Sequence, residues 1–212
     1  MTGLMEESLL FWALNGTPQP PLLCTAAEEE ALLTGYLITS GRVASHAQIL
    51  QTEQQGAVWQ VTVAGEVLPA VPLPEQLTAI PPNESGFRLP LRELTQLCDE
   101  VMAADHGAGL HAVLLSDGER TVTGADIGRH NALDKAVGKA VAAGMDLHRT
   151  SLCTTARISL EFFVKAARAG IPVLATRKQI GSLSAARGEM LHITVCRIGS
   201  KPACLSAKER VY

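Results

Sequence analysis

Beyond Gly109 the chain alternates short apolar runs with amphipathic stretches, and this alternation constrains its fold more than any other feature of the sequence. Runs of strand length occur at 110–116, 151–155, 171–176 and 191–197, and stretches with helical period occupy 131–143, 159–169 and 182–188. The first run turns at Asp117-Gly118 into a further short strand. Strands separated by whole helices cannot pair as hairpins; they lie parallel, with the helices crossing over the sheet faces. The pattern therefore implies a three-layer α/β sandwich with a partly parallel sheet. Ligands of such sheets collect beyond the carboxyl ends of the strands.

The upstream part reads differently. Pro69, Pro72, Pro74, Pro81, Pro82 and Pro90 concentrate in a stretch that can sustain neither a helix nor a central strand. We read it as an inter-domain loop, with a small N-terminal α+β domain and its linker over 1–88 and an α/β domain over 89–212. Pro90 suits the first turn of a helix whose apolar face is Leu91, Leu94, Leu97, Cys98, Val101 and Met102, which places Cys98 in the core. In the first half, Asn15-Gly16 is a hairpin-turn pair. Thr25-Ala26-Ala27-Glu28 has the pattern of a capping box opening a helix that runs to near Gly41. Val58–Val63 reads as a strand that turns at Ala64-Gly65 into Glu66-Val67-Leu68.

Composition narrows the function classes. The net charge of -3 and pI of about 6.1 give no global basic field, so a nucleic-acid partner is not expected. Glu6 and Glu7 stand where a signal peptide would carry Lys or Arg, and no apolar run approaches the roughly 20 residues that cross a bilayer. A cytoplasmic protein without a membrane partner is the expectation. The cysteines at 24, 98, 153, 196 and 204 show neither zinc-ligand spacing nor the density of a secreted scaffold, so reduced thiols are expected.

The chemistry concentrates at one helix entry. Asp126, Gly128, Arg129, His130 and Asn131 crowd into a turn, and Ala132, Leu133, Ala136, Val137, Ala140 and Val141 leave it with helical period. Backbone N–H groups of a helix's first turn have no intrahelical partner and the dipole is positive there, so a guanidinium beside them makes a seat for phosphate. The simpler reading is that Asn131 or Asp126 caps the helix, Gly128 turns the chain, and Arg129 and His130 are solvated. A second turn, Thr154-Thr155-Ala156-Arg157, follows the strand that contains Cys153. Together the turns would bring Arg129, His130, Arg157 and the Thr155 hydroxyl to one anion-binding crevice. Taken alone, Arg157 reads equally well as a surface ion pair.

The run Asp126-Ile127-Gly128-Arg129-His130-Asn131-Ala132-Leu133-Asp134-Lys135 resembles the signature of the FdhD/NarQ family, accessory proteins of formate dehydrogenases. Gly109-Leu110-His111-Ala112-Val113, Arg157-Ile158-Ser159-Leu160-Glu161 and Lys165-Ala166-Ala167-Arg168-Ala169-Gly170-Ile171-Pro172 are similar to further family runs, and Leu14-Asn15-Gly16 and Leu37-Ile38-Thr39-Ser40-Gly41 are weaker echoes. The resemblance implies a cytidine-deaminase-like fold. It also implies a homodimer that binds bis-molybdopterin guanine dinucleotide, takes sulfur from a cysteine desulfurase and supplies the sulfurated cofactor to the formate dehydrogenase apo-enzyme. Val195-Cys196-Arg197-Ile198-Gly199-Ser200 resembles the family's C-terminal segment that contributes to binding this cofactor.

In one respect the chain departs from the family. Many members carry Cys-x-x-Cys in the loop between the two halves, and the corresponding segment here, 71–87, has no cysteine. If a sulfur relay persists, Cys153 is the best-placed carrier, because cations at the Arg157 turn would depress its pKa; Cys196 and Cys204 follow. The rival is a non-catalytic chaperone that keeps the cofactor or guanine-nucleotide pocket and has lost the relay, and a third option is an unrelated enzyme acting on a nucleotide in the same crevice. Zinc is not expected: His111-Ala112-Val113 lacks the glutamate of a zinc deaminase, and the thiolate pair is missing. His111 reads as a core histidine or a pocket wall.

Overall fold

The computed structural model describes residues 6–69, 79–104, 106–107 and 109–212. The N-terminal sheet comprises β1 (Ser8–Leu14), β2 (Thr17–Pro18), β3 (Leu22–Cys24), β4 (Ile49–Gln55) and β5 (Val58–Val63), with α1 (Glu29–Thr39) inserted before β4. β1 pairs antiparallel with β2 and β3 and parallel with β5, and β4 closes on β5 as a hairpin. The Asn15-Gly16 turn forms as the sequence predicts. Both residues adopt positive φ, 47° and 77°, as a two-residue type I′ connection requires. α1 buries Leu32, Leu33 and Leu37 against Leu10, Trp12, Val61 and Val63.

The second unit contains α2 (Leu91–Ala103), β6 (His111–Ser116), β7 (Thr121–Asp126), α3 (Arg129–Ala142), β8 (Ser151–Thr154), α4 (Leu160–Arg168), β9 (Val173–Thr176), α5 (Ser182–Met190), β10 (Thr194–Arg197) and β11 (Ala203–Cys204). The strand order is β11-β10-β9-β8-β6-β7, with β8, β9 and β10 parallel. The β6–β7 hairpin adds antiparallel to β8, and β11 folds back on β10. Because strand side chains alternate faces, Val113, Leu115, Leu152, Leu174 and Val195 pack with α3 and α4. Ala112, Leu114, Cys153, Ala175 and Cys196 lie on the opposite side with α2. The three-layer α/β sandwich is present.

The two units meet where α1 crosses α3. A Cβ on Gly35 would sit 1.8 Å from the Asp134 carbonyl oxygen, and one on Gly138 would sit 2.0 Å from that of Ala31. The helix backbones therefore touch at two glycines, and no larger residue fits without moving them. Downstream of the proline-rich stretch, of which 70–78 lies outside the described residues, Asn83 is buried. Its side chain donates to the Gly170 carbonyl at 2.8 Å, and the Arg210 guanidinium donates to the carbonyls of Asn83 and Phe87 at 2.7 and 3.1 Å.

Some local expectations fail for identifiable reasons. Thr25 caps no helix: its N–H and hydroxyl both donate to the Asp126 carboxylate at 3.0 Å, and Glu28, in a left-handed conformation, precedes α1 without a side-chain cap. A buried carboxylate outbids a local capping bond. Glu66-Val67-Leu68 forms no strand, and the Leu68 N–H donates to the Arg42 carbonyl instead. β4 carries no strand signal in the sequence, because Ile-Leu-Gln-Thr-Glu-Gln-Gln is an edge strand with little apolar alternation. The expectation of five reduced thiols is also corrected. Cys196 and Cys204 stand opposite each other on β10 and β11 and are joined as a disulfide. No helix among the described residues is long and apolar enough to cross a membrane.

Candidate functional site

The two turns singled out by the sequence lie at one end of the second sheet. β6 starts there at His111, which pairs with Asp126 at the end of β7, and β8 ends beside it at Thr154. The chain then turns through Thr155 and Arg157 to Ser159, whose hydroxyl accepts from the Phe162 N–H and caps α4. Thr154 and Thr155 are spent on holding this turn. The Thr154 hydroxyl donates to the Ala112 carbonyl, and that of Thr155 accepts from the Ala112 N–H, both at 2.8 Å. The Thr155 hydroxyl thus accepts from β6 and is not among the residues that line the cleft described below.

The Asp126 turn divides its residues between two directions. Asp126 accepts from the N–H of Gly128 and the amide of Asn131 with one oxygen. Its other oxygen receives Thr25 and, at 2.7 Å, the Lys135 ammonium. Burial would raise this carboxyl, but the bonds from Lys135, Gly128 and Thr25 outweigh it and hold Asp126 below the usual carboxylate range. Asn131 also donates to the Leu23 carbonyl at 2.7 Å, so the motif clamps β3. One turn on, Asp134 accepts from Thr39 at 2.6 Å and pairs with Lys165 at 2.8 Å, yet burial lifts its carboxyl above the ordinary range.

Arg129 and His130 point the other way. Arg129 reaches Ser159 only weakly, at 3.4 Å, and its Nε is buried without a partner. His130 Nε2 is likewise unpartnered, because Glu161 at 3.9 Å is too distant for a hydrogen bond. Burial, then Lys165 and Arg129, push the His130 pKa down to about 4, so the ring is neutral at physiological pH. Arg129 and Arg157 share a cleft of about 270 Å³ with Ser159, Gln179 and Gly181. Burial and these two guanidinium groups also lower the pKa of His111, which is not among the residues lining the cleft. Gly181 stands at the start of α5 without a side-chain cap, which adds free N–H groups at a positive helix end. The arrangement suits an anion the size of a phosphate. A larger cavity of about 920 Å³ opens elsewhere, between Ile38, Val43, Pro81, His148 and Arg168; its lining is mainly apolar and it contains none of the signature residues.

The FdhD/NarQ family model matches residues 72–211. The chain belongs to the FdhD/NarQ family. A sulfur carrier protein FdhD of Streptomyces avermitilis is 33% identical over 221 aligned residues, spanning 85% of this chain and 78% of the relative. Its counterpart in Thermoplasma volcanium is 42% identical over 89 residues, 41% of this chain and 32% of the relative. A crystal structure from Desulfotalea psychrophila, described as a formate dehydrogenase accessory protein, superposes with a TM-score of 0.83 over 98% of this chain and 90% of that one, at 23% identity. That likeness establishes the shared FdhD-type fold.

Seen as a family member, the chain spreads its expected site residues unevenly. Arg129 and Arg157 come together, with His130 beside them; Asp126 and Asn131 are turned toward β3. Of the C-terminal segment, Val195, Cys196 and Ile198 are buried, whereas Arg197, Gly199 and Ser200 are exposed. Cys153 does not have the depressed pKa expected of a carrier. It is fully buried, 3.1 Å from the Cys98 sulfur, and burial pushes its thiol well above the ordinary range. The strand carries its side chain to the α2 face, away from Arg157. Sequence reasoning missed Gln179 and Gly181; the available signal was Gly181-Ser182 just ahead of a helical stretch.

Proposed function

We propose that this FdhD/NarQ protein is a formate dehydrogenase accessory factor. It binds bis-molybdopterin guanine dinucleotide, assists its sulfuration and delivers it to the apo-dehydrogenase, acting as a homodimer supplied with sulfur by a cysteine desulfurase. One observation carries the cofactor reading: Arg129 and Arg157 flank a phosphate-sized cleft at two helix starts, with the buried Arg129 Nε left without a partner. The two guanidinium groups would give a phosphate placed between them charge-assisted hydrogen bonds. The cleft fits a single phosphate group and is too small for the whole dinucleotide, so the remaining ligand would extend over the exposed sheet edge toward Arg197 and Ser200. Arg129 and Arg157 would hold the cofactor's phosphate, and the cofactor would supply the metal centre to be sulfurated; the chain would supply charge, orientation and an entry at the carboxyl edge. The absence of cysteine from 71–87 favours a second reading, a cofactor-binding chaperone without sulfur transfer.

Calorimetric titration with guanosine diphosphate tests the binding reading. Wild type binds, and Arg157→Ala binds at least about tenfold more weakly through loss of a charge-assisted contact. Equal affinities would remove the cleft from the assignment.

A further inference from the structure

The cysteines occupy three environments. Cys24 is fully buried, and its thiol is raised by burial and then by the charge of Asp126. Cys98 and Cys153 form a sequestered pair between α2 and β8. Cys196 and Cys204 form a bonded pair at the sheet's far edge, where Cys196 is buried under α2 and Cys204 is half-buried on a two-residue edge strand. Thiol exchange requires access as well as a thiolate, and Cys204 alone among the five is not buried.

Their position adds a second argument. The register runs Thr154↔Thr176↔Arg197 across β8, β9 and β10, so the Arg157 turn and the end of β10 leave the sheet at the same edge. Arg197 pairs with Ala203, one position from Cys204, and the connecting turn exposes Gly199, Ser200, Lys201 and Pro202. The Cys196–Cys204 pair therefore lies one register position from the exposed turn, with Arg197 on the opposite face of the sheet. The pair lies within and beside the segment 195–200.

Building on the sulfur-carrier reading, we propose that Cys196 and Cys204 are the sulfur-transfer centre of this chain, doing the work of the cysteines absent from 71–87. Starting from the dithiol, the Cys204 thiolate attacks the outer sulfur of a protein or small-molecule cysteine persulfide. The donor's S–S bond breaks, its electron pair leaves on the donor thiolate, and Cys204 becomes the persulfide. The Cys196 thiolate then attacks the inner sulfur of that persulfide. The outer S–S bond breaks, hydrosulfide departs, and the Cys196–Cys204 disulfide forms. Two thiols are oxidised and one sulfane sulfur is reduced, so electrons balance. A dithiol reductant resets the pair by taking up the two oxidising equivalents as its own disulfide. The disulfide in the structure corresponds to the state after sulfur release.

The test uses the full chain, reduced with a dithiol, desalted and treated with glutathione persulfide, followed by alkylation and peptide mass spectrometry alongside a sulfide assay. Wild type releases hydrosulfide stoichiometrically and ends as the 196–204 disulfide. Cys196→Ser accumulates persulfide on Cys204 and loses the hydrosulfide burst, and Cys204→Ser loses both persulfide and burst. Persulfide on Cys24, Cys98 or Cys153 in wild type, or an undiminished burst from Cys204→Ser, overturns the proposal, and the wild-type labelling site decides even if a variant folds poorly. Guanosine diphosphate titration of the same samples separates the two readings. Nucleotide binding without any persulfide sinks the cysteine assignment alone, whereas persulfide on Cys204 without nucleotide binding supports it and sinks the cleft.

Discussion

Two halves of one ten-residue run, 126–135, differ in how completely their polar groups are satisfied. Asp126 and Lys135 are fully buried, and each meets the other together with Thr25. Arg129 and His130, within the same run, each keep a buried nitrogen without a partner. A saturated polar cluster has no donor left for a ligand and resists being opened. An orphaned donor is costly until something binds it. The signature therefore combines a staple between the two sheets with a pair of residues whose buried nitrogens are left unpaired, and on the proposed reading only this second half would hold the ligand.

Substitutions that take the halves apart sharpen this contrast. Lys135→Met keeps the aliphatic stem but strands a buried carboxylate, and should lower stability by about 3–5 kcal/mol in urea unfolding. The double variant Asp126→Asn, Lys135→Met should recover a good part of that loss. A Lys135→Met midpoint close to wild type would show that the pair is no staple. Arg129→Ala should do the reverse. Guanosine diphosphate affinity should fall by about 1.5–3 kcal/mol, roughly tenfold to a hundredfold, while stability in urea is unchanged or higher, because an unpaired buried donor is removed. Gly138→Ala forces a methyl toward the Ala31 carbonyl and should cost about 1–3 kcal/mol of stability, with nucleotide affinity unchanged. A drop in affinity there would mean that α1–α3 packing also shapes the cleft.

The layered fold was legible because its evidence is local. Helical period, strand length and the Asp117-Gly118 and Asn15-Gly16 turns each act within a few residues, and each reappears where expected. What was hidden depends on contacts far apart in sequence. Thr25 has the pattern of a cap, but Asp126, 101 residues away, takes its hydroxyl. β4 carries polar residues because an edge strand is not obliged to bury a face. Cys153 sits in a strand that leads to a cationic turn, yet the period-two alternation turns its side chain to α2, and sequence alone did not say which face the cations occupy. Arg129 and Arg157 were legible together because strand-to-helix turns cluster at the carboxyl ends of the strands, even though β6 lies between β7 and β8. Gln179 and Gly181 join them from a third turn.

The smallest expected effect tests whether the outward half is destabilised by the absence of a ligand. His130 titrates near 4 in the folded protein because the ring is buried beside Lys165 and Arg129. Its unfolded value is about 6.5. Between these values the unfolded chain binds more protons than the folded one, so the stability held above pH 6.5 is lost progressively as pH falls toward 4. The ceiling is about 3 kcal/mol, and with about a third of the side chain exposed the effect should be on the order of 1 kcal/mol. Asp126, held below the usual carboxylate range, loses its contribution only at still lower pH. Asp134, lifted above that range, changes in the opposite sense, but it is common to both proteins compared and cancels from their difference. Urea midpoints of wild type and His130→Gln at pH 7.0, 5.5 and 4.5 should therefore diverge in slope, with the variant flatter. Guanosine diphosphate bound beside Arg129 would favour the imidazolium and bring the wild-type slope toward that of the variant. Parallel slopes with and without nucleotide would place His130 outside the influence of the ligand and confine the anion seat to the two arginines.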